Sequence, residues 1–101
     1  MFYRYFLGPG DPDPFSDTTT IPYGLPWSSD VMLEVCDGRG RRIRLLVNGT
    51  QDAGEYSVSW NGEDDAERAV DDGIYRSRLT AHDAGGRAFI HTRTITLRRH
   101  A

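Results

Sequence analysis

Hydrophobic positions along this chain recur every second residue, and the three-to-four spacing of an amphipathic helix is nearly absent. "TTTIPYGLP" places Ile21, Tyr23 and Leu25 on one face of a strand. Pro22 faces the other way and lacks an N–H, so the pattern predicts an edge strand here. In "DVMLEVCD", Val31, Leu33 and Val35 point inward against Met32, Glu34 and Cys36, and "GRG" at 38–40 reads as a tight turn. "RRIRLLV" then turns Ile43, Leu45 and Val47 inward and Arg42 and Arg44 outward. "NGTQDAG" reads as a loop before "EYSVSW", whose Tyr56, Val58 and Trp60 face in while Ser57 and Ser59 face out.

After a polar connection, "GIYRSRLTAH" offers Tyr75 and Leu79 to the core, and "RAFIHTRTITLRR" offers Phe89, Ile95 and Leu97. "DAGGR" closes a hairpin between them. A two-residue loop would set Arg76 opposite Arg93, which like-charge repulsion disfavours. A three-residue loop, Ala84 to Gly86, pairs Tyr75 with Ile95 and Ala81 with Phe89, and a glycine supplies the positive φ. Six or seven short strands with regular turn signals predict an all-β, antiparallel β-sandwich of about seven strands. At the N-terminus, "MFYRYFL" alternates poorly and is joined by "GPGDPDP", a stiff Pro/Gly linker. The expected division is an aromatic arm and linker over 1–12 and the sandwich over 13–101.

A chain of 101 residues has room for one domain. Twelve basic against fifteen acidic residues leave a net charge of −3, too mild an imbalance to argue for nucleic acid or an anionic membrane. Cys36 stands alone, so no intramolecular disulfide can form and the redox compartment is not readable. No apolar run approaches a membrane span, and the apolar start is short and interrupted by Arg4, unlike a signal peptide.

The order of motifs from Asp13 onward resembles the immunoglobulin-like domain of the flagellar hook-capping protein. It is also similar to the C-terminal β-sandwich domains, of secretion or sorting type, of bacterial surface proteins. The residues that carry the likeness are the Pro-Phe and Thr-rich strand of "DPFSDTTTIPYGLP" and the Gly-Arg turn of "VMLEVCDGRGRRIRLLV". With them go the Trp strand "AGEYSVSW", the polar loop "NGEDDAERAV" and the Gly-x-Tyr strand "GIYRSRL". Asn61 stands where an Asp is usual, Glu67 where a Gly is usual, and Pro22, Asp71 and Asp72 also depart from the pattern. The resemblance implies an immunoglobulin-like sandwich and an extracytoplasmic or cell-surface setting. It implies little about activity, because this sandwich is attached to many unrelated functions.

Six carboxylates crowd between Glu63 and Asp72. Asp64, Asp65, Asp71 and Asp72 supply charge enough for a calcium site, but the EF-hand pattern is missing, and Asp side chains also fold back on turn backbone. The turn reading is preferred, and no metal or cofactor is expected. A catalytic carboxylate pair would need a cleft that splits the two acidities, which a surface loop does not provide. His82 and His91 fall on opposite faces of their hairpin and His100 lies in the tail, so no shared metal or Ser-His-Asp arrangement assembles. Cys36 beside Glu34 reads as an unreactive thiol on a semi-exposed face. The arginines of "RGRRIR" lack interleaved aromatics, which argues for a solvated or partner-facing strand rather than nucleic-acid binding.

The aromatic start is the exception. Phe2, Tyr3, Tyr5, Phe6 and Leu7 form a segment too short for a core of its own. It either folds back as a first strand or inserts into a neighbouring subunit. The expectation is a non-catalytic structural or protein-binding module that docks through this arm and a sheet edge. Because the chain begins with Met and is nearly all domain, a small accessory subunit of a larger bacterial assembly is favoured. It would have protein partners, no nucleic acid and no membrane insertion of its own. The alternatives are a detached sorting or surface-attachment domain of a secreted protein, and a calcium-dependent surface- or carbohydrate-binding module.

Overall fold

The computed structural model describes residues 4–99, and among them the chain is all-β. Seven strands follow in order: β1 (Phe6–Leu7), β2 (Thr19–Leu25), β3 (Ser29–Cys36), β4 (Arg42–Gln51), β5 (Gly54–Trp60), β6 (Gly73–Asp83) and β7 (Ala88–Leu97). They form a three-stranded sheet, β1-β2-β5, and a four-stranded sheet, β4-β3-β6-β7. Every pairing within the two sheets is antiparallel. The antiparallel β-sandwich of about seven strands expected from the alternation is the fold observed.

Most of the inward set read from the sequence forms the core: Ile21, Tyr23, Leu25, Val31, Leu33, Val35, Trp60, Tyr75, Leu79, Ile95 and Leu97 are buried, and Ile43, Val47, Tyr56, Val58 and Phe89 are partly buried against them. Trp60 is its centre, tilted against Phe15 at 5.4 Å and edge-on to Tyr75 at 5.3 Å. Aromatic pairs at these separations add to the area term of burial. The β6–β7 register is also as expected, with Tyr75 opposite Ile95 and Ala81 opposite Phe89. Asp83 N donates to Arg87 O at 3.0 Å across the turn, and Gly86 takes the left-handed conformation at φ 81°.

Three local expectations are corrected. First, β2 is not an edge strand. It lies between β1 and β5, with Leu7 opposite Tyr23 and Ile21 opposite Val58. The Pro22 carbonyl accepts from Gly8 N at 2.8 Å, so the donor Pro22 lacks faces β1 and the ladder to β5 is intact. Pro22 is tolerated because it ends the short β1 pairing rather than interrupting the long one.

Second, the alternation in β4 is broken by register shifts. Leu33 pairs with Val47 but Glu34 with Leu45; Val35 pairs with Arg44 but Cys36 with Arg42. Each extra residue moves later side chains to the other face. Leu46 and Ile43 therefore pack on the core, Leu45 falls opposite outward-facing Glu34, and Arg44 falls on the inner side opposite Val35. Third, β4 continues through Gln51, so the predicted loop shrinks to Asp52 and Ala53. Strand pairing with β3 from Ser29 to Met32 overrides the Asn-Gly turn signal.

Candidate functional site

The aromatic segment and the acidic loop sit at opposite ends of the sandwich, since Phe6 pairs near one end of β2 with Gly24 while Trp60 pairs at the other with Thr19. Phe2 and Tyr3 lie outside the described residues. Tyr5, Phe6 and Leu7 lie on the chain's own sandwich. Leu7 is buried in the core, and Phe6 is half-buried over Gly24, where a Cβ would collide with its ring. Tyr5 stacks on Phe89 at 5.2 Å, and its hydroxyl pairs with Ser29 Oγ at 2.9 Å. Phe89 in turn stacks on His91 at 5.9 Å. Exposed Trp27 stands at this same end, beside a groove of about 390 Å³ bounded by Ser28, Asp83 and Arg87.

At the other end the carboxylates hold backbone. Asp64 Oδ1 accepts from Ala66 N at 2.9 Å and Arg68 N at 3.0 Å, making the Asx-type turn that its residue type predicts. The Arg68 amide, above all, holds the Asp64 carboxyl below the usual carboxylate range. Asp65 reaches β4: its N–H donates to Ile43 O and its Oδ1 accepts from Leu45 N, both at 2.8 Å. Trp60 Nε1 donates to Glu63 O at 2.9 Å, and Tyr75 hydroxyl donates to Asp71 O at 2.5 Å. Arg99 closes the loop from the C-terminal side. Its Nη1 donates to Val70 O at 2.6 Å, its Nη2 to Gly62 O at 2.9 Å, and its backbone N–H to Asp72 Oδ2 at 3.0 Å. Among the described residues, no group of three or more His, Cys, Asp or Glu side chains is arranged to hold a metal ion.

Glu67 has φ 62°, the left-handed region, in the position where the resembled family has glycine. The departure noticed in the sequence is therefore a residue in a backbone conformation that favours glycine. His82 and His91 pair with Ala88 and Leu79 on opposite faces, and His100 lies outside the described residues. Cys36 is buried rather than semi-exposed, at 3% exposure. Burial chiefly pushes its thiol up, with Arg78 opposing and Glu34 and Asp37 adding to the shift. The cover on this outer face is an ion pair: Arg78 Nε and Nη2 each lie 3.0 Å from Glu34 Oε1.

The strand edges were not legible in the sequence. On β4, the bulged half is straddled by Asp65. On β7, Phe15 N donates to Thr96 O, Arg98 N donates to Phe15 O, and Thr96 N donates to Asp13 Oδ1 at 2.9 Å. Thr96 therefore turns its backbone groups away from β6, and by strand alternation so do Ala88, Ile90, Thr92 and Thr94. Among the described residues, no backbone partner closes these four positions. On β5, the corresponding outward positions are Glu55, Ser57 and Ser59.

Comparisons with known proteins agree with this architecture. The family model of the FlgD Ig-like domain matches residues 16–85. The solved structure of FlgD from P. aeruginosa is 27% identical with a TM-score of 0.63; the alignment covers 79% of this chain and 62% of that one. The present chain thus spans less than two thirds of that relative's length. FlgD from Xanthomonas campestris, a protein described for hook capping essential for flagellar assembly, is 18% identical with a TM-score of 0.65, covering 94% of this chain and 69% of that one. CopC from Methylosinus trichosporium OB3b shares the fold at 13% identity and a TM-score of 0.55, covering 93% of each chain. No curated protein matches the chain.

Proposed function

From the chain's membership of the FlgD Ig-like domain family, we propose that it is a non-catalytic structural module that docks on a larger bacterial assembly by protein–protein contact. The observation that carries this reading is the family match over residues 16–85 on a sandwich whose polar side chains are spent on its own backbone. Side chains that hold turns and bulges are not free to act as paired acid and base. Hook capping is described for the Xanthomonas campestris relative. Applied to this chain, it is the proposal that the domain serves as a rigid part of a flagellar or related extracytoplasmic structure.

The docking surface assigned is the side of the sandwich where β1 meets β7. Tyr5 is half-buried there, stacked on Phe89 beside the unclosed part of the β7 edge, while half-buried Phe6 lies over Gly24 of β2. Phe2 and Tyr3 belong to the same proposal through their place in the sequence, immediately before this surface. Leu7 contributes by fixing the segment to the core rather than by touching a partner. Affinity isolation of the tagged chain from its own cell tests the reading: a partner should be retained at fixed stoichiometry in wild type and lost when Tyr5 and Phe6 are changed to Ala. Recovery of the chain without any stoichiometric partner overturns it.

A further inference from the structure

Among the described residues, the outward backbone positions of β5 and of β7 from Ala88 to Thr94 meet no backbone partner, and the two strands differ in charge. The outward backbone positions of β5 are flanked by Glu55, Ser57 and Ser59, with no cation on the strand. Those of β7, Ala88 to Thr94, lie in a stretch without a single carboxylate. From Ala84 to the end, the sequence carries Arg87, Arg93, Arg98 and Arg99 with His91 and His100 and no Asp or Glu, in a protein whose net charge is −3. The cations nearest this edge meet no carboxylate among the described residues. Arg93 Nε donates to the neutral Leu7 carbonyl at 2.6 Å, and Arg87 is exposed without an ion pair. Ile90 is 65% exposed midway along the edge, an apolar side chain with nothing to bury it.

The lower half of the same edge shows what it accepts. Phe15 bridges Leu97 in parallel orientation, and the Asp13 carboxylate takes the outward N–H of Thr96. An Asp-bearing segment thus already pairs with the β7 edge through an isolated bridge, and the open positions continue the same row. Exposed edges are ordinarily blunted by bulges, prolines or short length. β4 has its bulges and Asp65, whereas β7 from Ala88 to Thr94 pairs with β6 without a register shift and is proline-free.

We infer that the β7 edge from Ala88 to Thr94 is a strand-addition site for an extended acidic segment of a protein partner. This rests on the docking reading above and supplies the partner's chemistry. Outward N–H and C=O groups provide the ladder, Ile90 packs on an alternate apolar side chain, and Arg87, His91 and Arg93 attract the carboxylates.

Amide exchange on the full, isotope-labelled chain tests it, with a synthetic peptide alternating Val and Glu as probe and a Val/Lys peptide as its counterpart. At about nine-tenths occupancy, the Ile90, Thr92 and Thr94 amides should slow roughly tenfold with the Glu peptide. The Lys peptide should leave them unchanged. Thr92→Pro removes only an outward donor, so it should melt like wild type and abolish the protection. Arg87→Glu, which leaves the edge backbone alone, should weaken it. Equal protection by both peptides overturns the inference, as does protection at Ser57 and Ser59 instead, or closure of these amides before any peptide is added. Affinity isolation separates the two levels. A native partner still held by Thr92→Pro overturns the strand-addition site and leaves docking intact, whereas no partner on wild type overturns the docking reading itself.

Discussion

Arg78 and Glu34 meet across β3 and β6, with the guanidinium Nε and Nη2 each 3.0 Å from one carboxylate oxygen. The Glu34 side chain is 7% exposed and that of Arg78 35%, so the acid is the covered partner. Among the described residues, removing the guanidinium leaves the carboxylate with only Arg42, at 3.9 Å. Because Arg78 is a third exposed, solvent discounts the loss to roughly 1–3 kcal/mol. Arg78→Met should therefore lower the urea midpoint, and Glu34→Leu added to it should recover most of the loss. A double-mutant cycle with no coupling between the two sites would remove the ion pair from the account.

Leu7 distinguishes a strand of the sandwich from a free arm. It is 2% exposed among the core residues, so Leu7→Ala should cost about 2–4 kcal/mol through lost transfer energy and a cavity. Thermal unfolding of the isolated chain reads this directly. A change within the scatter of surface substitutions would mean that the segment does not hold to the core in solution.

Glu67 is exposed in the left-handed region, where an L side chain costs about 1–2 kcal/mol. Glycine avoids that cost but loses more backbone freedom on folding, so Glu67→Gly should stabilise by roughly 0.5–1 kcal/mol. Glu67→Ala should not, since alanine meets the same backbone strain. Chemical denaturation of the three proteins side by side decides the matter.

The Asp37 and Asp64 carboxyls titrate below the usual carboxylate range, each chiefly through a backbone N–H: that of Arg41 for Asp37 and that of Arg68 for Asp64. A depressed carboxyl contributes stability that is fully present above its unfolded value, about 3.9, and that is lost as pH falls through the folded value. The urea midpoint should thus decline as pH drops below that point. Asp37→Asn with Asp64→Asn should flatten the decline in that window, because an amide oxygen accepts the same N–H groups without titrating. An unchanged acid limb in the double variant would place the effect on other carboxylates.

Calcium should leave the melting temperature where it is. Asp64 and Asp65 have oxygens committed to backbone N–H groups, and Asp72 accepts the Arg99 amide. A calcium-dependent rise that disappears in Asp64→Asn/Asp65→Asn would restore the metal reading of this loop.

By itself, the sequence determined the sandwich, its inward residues outside β4 and the β6–β7 hairpin. These follow from period-two alternation and from a turn only three residues long, where chain connectivity leaves few registers open. It also pointed to the loop carboxylates as turn residues, a role Asp64 fills through a contact that spans four positions. Tertiary structure decided whatever depended on distant partners. Pro22 looked like an edge residue until β1 was seen to cover β2, and the β4 alternation failed because its bulges are registered against β3. Arg99 reaches across 29 and 37 positions to the loop carbonyls, contacts that no local pattern carries. Which edges stay open is likewise a property of the assembled sheets. Backbone groups are the same in every strand, and only the fold determines which of them already have a partner.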